Sequence, residues 1–315
     1  MKAPIRLSLP YVGGAALIAN YYLVPDDSIM RKSLTLTVLV AVILLVYTVK
    51  WLILRRTNPE AYARKTEAAP RLFAFLIGVM VWDILTMKAH ILPGPFFQDS
   101  TRIISVFVSD GIEIAIHLLY SMRLLFLGYA FGLMAGFITG VFAGWFPKAR
   151  YWIMPIVKLI GPIPTVVWLP LIIVIMPTLF AGSVFVIAFG VWFPATLMTT
   201  TGILSVPSAY YEVARTLGAD ERYLLFRVAL PSAVPNLFMG AFMGMTISCI
   251  ALISAEMLGV KSGLGYFINL ATAWGEYDKV YAGIIIILIL FSGVITLLFR
   301  LNAKLLKWQK DAIQW

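Results

Sequence analysis

The chain alternates long apolar runs with short polar breaks. Runs at residues 34–54, about 71–90, 124–146, 152–176, 183–201, 234–258 and 280–299 predict helices. At a rise of ~1.5 Å per residue, each approaches the ~30 Å that a hydrocarbon core demands. Residues 9–24 form a shorter run at the lower limit of a span. Lys2 and Arg6 ahead of it mimic a secretory signal. Bulky Tyr21, Tyr22 and Leu23 stand where a small-residue cleavage site should lie, so the run reads as retained.

The polar breaks assign sides. Arg55, Arg56, Arg64, Lys65 and Arg71 face only Glu60 and Glu67, and Lys148 with Arg150 and the Arg300, Lys304, Lys307, Lys310 series mark two further basic ends. The excess of Lys and Arg on cytoplasmic segments places all three inside. Leu92-Pro93-Gly94-Pro95 breaks the chain on the other side, ahead of an amphipathic outer segment over residues 96–120. The parity works with eight spans, a core of six plus two N-terminal accessory ones, and both termini cytoplasmic. Its one strain is Arg31 and Lys32, which fall outside beside Asp26 and Asp27. The boundaries are 1–70 for the accessory region and 71–315 for the main transmembrane domain.

Composition agrees with this and removes several classes. Apolar residues make up 61% of the 315 and charged ones 13%, against about a quarter charged in soluble domains. The net charge of +10 lies in short clusters between apolar runs, not in one patch with interleaved aromatics, so nucleic acid is excluded as a partner. Cys249 is the only cysteine, which rules out an intrachain disulfide and thiolate metal clusters. No Walker-type GxxxxGK[ST], HExxH or GxSxG occurs, so the chain has no ATPase, metalloprotease or nucleophile-elbow chemistry of its own. Glu113 and His117 lie one helical turn apart with no further ligand nearby, and a metal site there is rejected. The expected class is an all-α integral membrane protein that is not an enzyme.

Within the spans, two departures from plain apolar helix matter. Gly128, Gly132, Gly136, Gly140 and Gly144 recur every fourth residue along one stripe, which predicts a close helix–helix approach and no substrate contact. Gly240, Gly244 and Ser248 repeat the spacing later. Pro155, Pro162, Pro164 and Pro170 interrupt residues 152–176. Interrupted helices commonly carry transporter binding sites, and a merely kinked helix is the equal alternative.

The longest polar interruption, residues 208–231, is more organised than a loop. Ser205 or Ser208 can cap a first short helix, Gly218 can end it in the left-handed conformation, and Asp220 can cap a second helix. Pro231 marks the end of that second helix or the start of the next span. Glu212, Ala214, Gly218, Val228, Leu230 and Pro231 carry a spacing that resembles the coupling-loop signature of binding-protein-dependent ABC importer permeases. That resemblance makes Glu212, Ala214, Arg215, Gly218, Ala219, Leu230 and Pro231 the expected ATPase-coupling residues. Val213 and Val228 are mild departures from it. Further likeness lies in Leu92-Pro93-Gly94-Pro95, Trp168-Leu169-Pro170 after Pro164, Phe193-Pro194, Ala255-Glu256 and Ser262-Gly263-Leu264-Gly265-Tyr266, and it points to the nitrate/sulfonate/taurine branch.

The resemblance implies a type I ABC importer transmembrane fold, with the coupling loop at residues 205–232. It implies a homodimer of permeases on two ATP-binding subunits, which hold the ATP and Mg while this chain binds no cofactor. It also implies an extracellular or periplasmic solute-binding protein, and a place in the cell's inner or plasma membrane. Many members of the branch have a basic residue where Gly161 stands, and a Phe-Gly-x-Gly where Met176-Pro177-Thr178-Leu179 stands. Lys158, on roughly the same helical face, is the candidate replacement charge. Lys158, Pro164, Trp168, Asp83 and Glu256 are the candidate residues of the solute path or its gate.

Asp83 and Glu256 are expensive at membrane depth and therefore functional candidates by default. The blander expectation pairs Asp83 with a basic residue of the bundle, and Glu256 with Arg123 or Lys261. A rival function uses both as proton carriers of an ion-coupled secondary transporter, but it leaves the coupling-loop spacing unexplained. A membrane-embedded enzyme is a distant third.

Overall fold

The computed structural model describes residues 3–23, 34–57, 59–89, 91–92 and 94–305. The expectations resting on Lys2, Asp26, Asp27, Arg31, Lys32, Pro93, Lys307 and Lys310 lie outside these residues. All regular structure among the described residues is helical. Among the described residues six helices are long and apolar enough to cross a membrane, and a seventh span is available if a bent pair counts as one. The first helix, over residues 9–24 of the expected eight spans, is not among them. The chain divides into two compact units, described here in turn.

The first unit comprises Met1–Gly111 with Ala271–Ala282. It is built from α1 (Ala3–Leu23), α2 (Leu34–Thr57), α3 (Pro59–Asp83) and α4 (Ser100–Ser109). Leu17 and Tyr21 of α1 sit one turn apart and bury with Leu36, Val40 and Leu76. Small residues let α1 settle between its neighbours. A Cβ at Gly13 would lie 3.0 Å from the Phe73 ring, and one at Gly14 2.8 Å from Leu44 Cδ1. The basic stretch expected as a connector is itself helical: Arg55 and Arg56 end α2, and Arg64 to Arg71 lie in the first turns of α3. Its Ala, Glu, Arg and Lys residues are strong helix formers, so the helix runs on from Pro59 into the span.

The second unit comprises Ile112–Leu270 with Gly283–Trp315. It contains most of α5 (Gly111–Trp145), then α6 (Pro147–Ile160), α7 (Leu169–Ile175), α8 (Leu179–Leu204) and α9 (Ser208–Thr216). The rest is α10 (Glu221–Tyr223), α11 (Leu230–Gly259) and parts of α12 (Leu264–Trp274) and α13 (Tyr277–Leu305). The outer segment expected over residues 96–120 is not one piece. It breaks at Asp110, and its second half continues into the span as the 35-residue α5.

Helix α8 is the axis of this unit. The glycine stripe of α5 lies along it in parallel, each glycine meeting a residue four further on: Ile187, Val191, Ala195, Thr199 and Ile203. A Cβ at Gly136 would stand 2.5 Å from the Ala195 Cβ and 2.8 Å from the Trp192 carbonyl oxygen; at Gly140 the Thr199 Cβ is 2.6 Å away. Helix α11 crosses the other side in the opposite direction. Gly240 meets Met198 and Pro194, and Gly244 meets Val191. Close backbone approach of this kind replaces the hydrophobic drive that lipid cannot supply. Arg150 ties α6 to the end of α5, donating to the carbonyls of Ala143 at 2.8 Å and Gly144 at 2.6 Å.

Candidate functional site

Three places in the second unit gather the residues singled out by sequence. The first is the corner formed by α9, α10 and the start of α11. Pro207, not Ser205 or Ser208, occupies the N-cap of α9, and no side chain caps it. Ser205 instead donates to the Gly202 carbonyl at 2.9 Å. At the other end Gly218 has φ +85. Its N–H bonds the Arg215 carbonyl at 3.0 Å, and the Ala219 N–H bonds that of Ala214 at 3.0 Å. This paired closure is a Schellman motif, and it needs the left-handed residue that glycine supplies. Asp220 accepts the Tyr223 N–H at 2.8 Å, as expected of a cap.

Beyond Tyr223 the second helix does not stop. A π-turn over Leu224–Ala229 carries it into α11, giving one 39-residue helix from Glu221 to Gly259. Pro231 stands just past the π-turn, inside this continuous helix, and so marks neither the end of the second helix nor a fresh start of the span. Glu212 lies in the middle of α9, not at its start, and is exposed. Arg215 bridges the corner to Glu221 at 2.9 Å. The inner face of α9 packs Tyr211 edge-on to Trp145, with ring centroids 5.9 Å apart, and this burial raises the Tyr211 hydroxyl above its usual pKa. The outer face presents Tyr210, Val213 and Leu217, the last 84% exposed. That is a bare apolar stripe at helical spacing on a rigid corner.

The second place is the broken helix. The chain turns by 91° between α6 and the segment Thr165–Ile175, which makes it a break and not a kink. Pro162 and Pro164 bring no N–H to the elbow, and a 3-10 turn over Thr165–Trp168 restarts the helix. Behind the elbow is a cavity of about 220 Å³, walled by Phe189, Trp192 and Phe193 of α8 and Ile247 and Ile250 of α11. The Phe193 ring occupies the space a Cβ at Gly161 would need. Pro164 lines this cavity. Trp168 does not, but it stands edge-on to Phe189 with centroids 6.1 Å apart. Lys158 is exposed and is not part of the lining.

The third place is the turn before α12. Glu256 is fully buried in α11, and its Oε2 accepts the Gly265 N–H at 2.9 Å. The neighbouring N–H groups go to α5: Gly263 donates to His117 Nδ1 at 3.0 Å, and Leu264 to Ser121 Oγ at 2.8 Å. Three side chains from two helices thus satisfy the free N–H groups at the start of α12. The carboxylate fills the space beside Gly263, whose φ is +119, while a Cβ at Gly265 would lie 2.6 Å from the Ile253 carbonyl oxygen. Those contacts explain why both positions are glycine. Glu256 pairs with neither expected cation. Arg123 lies over the Phe180 ring at 4.9 Å, and Lys261 is exposed.

In the first unit Asp83 plays a similar part. It is 1% exposed and accepts the Ser100 hydroxyl at 2.6 Å and the Ser100 N–H at 3.3 Å, anchoring the start of α4. No basic side chain among the described residues forms an ion pair with it. No cluster of metal-ligating side chains exists among the described residues either. Ser121, His117 and Phe193 were not singled out for these roles by sequence. The one available hint was the glycine pair at 263 and 265.

Residues 128–308 match the family model described as binding-protein-dependent transport system inner membrane component. The chain is similar to a putative aliphatic sulfonates transport permease of Bacillus subtilis, 29% identical over 272 residues, covering 82% of this chain and 96% of that one. A nitrate import permease of Synechocystis is 27% identical over 251 residues, covering 78% and 90%. A bicarbonate transport system permease from the same organism is 25% identical, covering 75% and 86%. Among solved structures, the inward-facing MetNI methionine ABC transporter aligns with a TM-score of 0.51 at 20% identity, over 58% of this chain and 91% of that one. The fold is that of a type I ABC importer transmembrane domain.

Proposed function

The chain belongs to the binding-protein-dependent transport system inner membrane components, and from that premise we propose that it is the translocating subunit of an ATP-driven importer. The observation that carries the reading is the corner at residues 208–231. A Schellman-closed helix with an unpartnered apolar stripe at Tyr210, Val213 and Leu217 fits a cleft on another protein. That partner is an ATP-binding subunit, one for each of two copies of this chain, and it supplies the ATP and Mg that this chain does not bind. An external binding protein delivers the solute, and both termini lie on the ATPase side. Residues 1–70 form the accessory region and residues 71–315 the permease domain.

The solute is small. The names of the relatives favour an anion such as a sulfonate or nitrate, and the uncharged elbow cavity favours an organic molecule without charge. Asp83 and Glu256 each hold the first turn of a helix, which lends no support to an ion-coupled alternative. The test is a pair of corner variants, Gly218→Val and Glu212→Arg, in reconstituted vesicles. A β-branched residue at φ +85 is strained by about 1–2 kcal/mol. Both variants are expected to insert and to dock the binding protein normally while solute-stimulated ATP hydrolysis falls. Normal transport and ATPase retention in both would remove the coupling role.

A further inference from the structure

Resting on the importer reading above, we infer that the elbow cavity binds an uncharged organic solute built on a single ring, and not a small inorganic anion. The lining contains no Asp, Glu, Lys, Arg or His. An anion stripped of water there would meet no charged side chain, and a buried unpaired charge is among the most costly things a protein can hold. Position 161 cannot supply one, because the Phe193 ring leaves no room for any side chain. A cation would find aromatic faces there but no carboxylate to neutralise it.

Size and shape narrow the class further. A cavity of about 150 Å³ with apolar walls takes up benzene. The 220 Å³ here therefore accommodates one ring with small substituents. The wall offers the right faces. Phe189 and Trp192 stack with centroids 5.9 Å apart at 7°, and Phe185 extends the stack at 6.0 Å and 11°. A planar solute continues such a stack in an offset arrangement. Polar contact is sparse. The Trp192 indole N–H is already given to Thr139 Oγ1 at 3.1 Å. Thr165 contributes a hydroxyl that makes no hydrogen bond among the described residues and can serve one hydroxyl, carbonyl or ring nitrogen of the solute. Its place beside the middle of α8, at the break of a spanning pair, matches where transporters commonly hold their solute.

The test uses 4-fluorobenzyl alcohol as the probe, followed by fluorine NMR on the complete permease–ATPase complex in lipid nanodiscs. Saturable binding is expected in the unaltered complex. Ile247→Trp fills the cavity, and Ile250→Trp closes it from its exposed side should the first variant assemble poorly; each is expected to weaken binding by about tenfold or more. Thr165→Val, which keeps the volume and removes the hydroxyl, is expected to weaken it several-fold. Sodium nitrate, taurine and tetramethylammonium in large excess are expected to leave the probe in place. Displacement by any of these ions, or unaltered binding in an assembled tryptophan variant, overturns the inference. The corner variants Gly218→Val and Glu212→Arg touch none of this lining. Normal transport in them counts against the importer reading alone, whereas failure of the probe test in a complex with normal ATP hydrolysis counts against the solute class alone.

Discussion

Gly218 and Gly263 have the same backbone requirement in opposite surroundings. Both hold a left-handed φ, +85 and +119, at a turn joining two helices. Around Gly218 nothing approaches within 4 Å of where a Cβ would stand, while Gly263 lies against the Glu256 carboxylate. One turn is free on its outside and the other is filled from within by neighbouring helices. A glycine needed for conformation alone leaves a surface open to a partner. A glycine needed for conformation and for space marks a joint internal to the fold.

This contrast sets the order of expected effects. Gly263→Ala combines the ~1–2 kcal/mol of a left-handed L residue with the ~1–3 kcal/mol of overpacking against a buried group. The yield of assembled complex after size-exclusion chromatography should fall more than for any other single-methyl change. A yield equal to that of the unaltered chain would mean that the Glu256 clasp is dispensable. Next comes Gly136→Leu, which forces a side chain into the α5–α8 ladder at about 1–3 kcal/mol. Leu133→Ile, on another face of α5, should be mild, and equal thermal stability of the two variants would remove the close-packing argument. The corner variants follow, with normal assembly and lost coupling. The smallest effect is expected from Gly275→Ala. Gly275 also has a positive φ, +74, with open space around it. Thermal stability should drop slightly with ATP hydrolysis unaltered, and a loss of coupling there would show that backbone strain alone, anywhere, impairs the corner's function.

Local regularity was legible in the sequence, and contacts between distant segments were not. The four-residue glycine stripe announced a close packing face because helical spacing is a local property, and the ladder along α8 follows it residue by residue. Gly218 and Asp220 were readable as a stop and a cap for the same reason. Asp83 and Glu256 misled because membrane-depth carboxylates invite a search for cations. Their partners are instead N–H and hydroxyl groups at the first turns of α4 and α12, and no periodicity announces that juxtaposition. The start of α9 was placed on the serines because serine is a strong capping residue, yet Pro207 provides the extended conformation without a side-chain bond. The apolar run at 124–146 understates α5 because amphipathic patterning up to residue 120 resembles a separate outer segment, while nothing in the backbone stops the helix between the two.

The unbroken helix from Glu221 to Gly259 carries all three places at once. Its first turn bears the salt bridge that spans the corner, its middle gives Ile247 and Ile250 to the cavity wall, and its last turns hold Glu256 over the start of α12. Its π-turn over Leu224–Ala229 and its two prolines, Pro231 and Pro235, all lie between the first place and the second, so bending is concentrated there and the cavity wall and Glu256 share one regular stretch. The cavity wall and the joint at Glu256 are therefore tied to each other more tightly than either is to the corner, which joins them through the one segment of this helix built to flex.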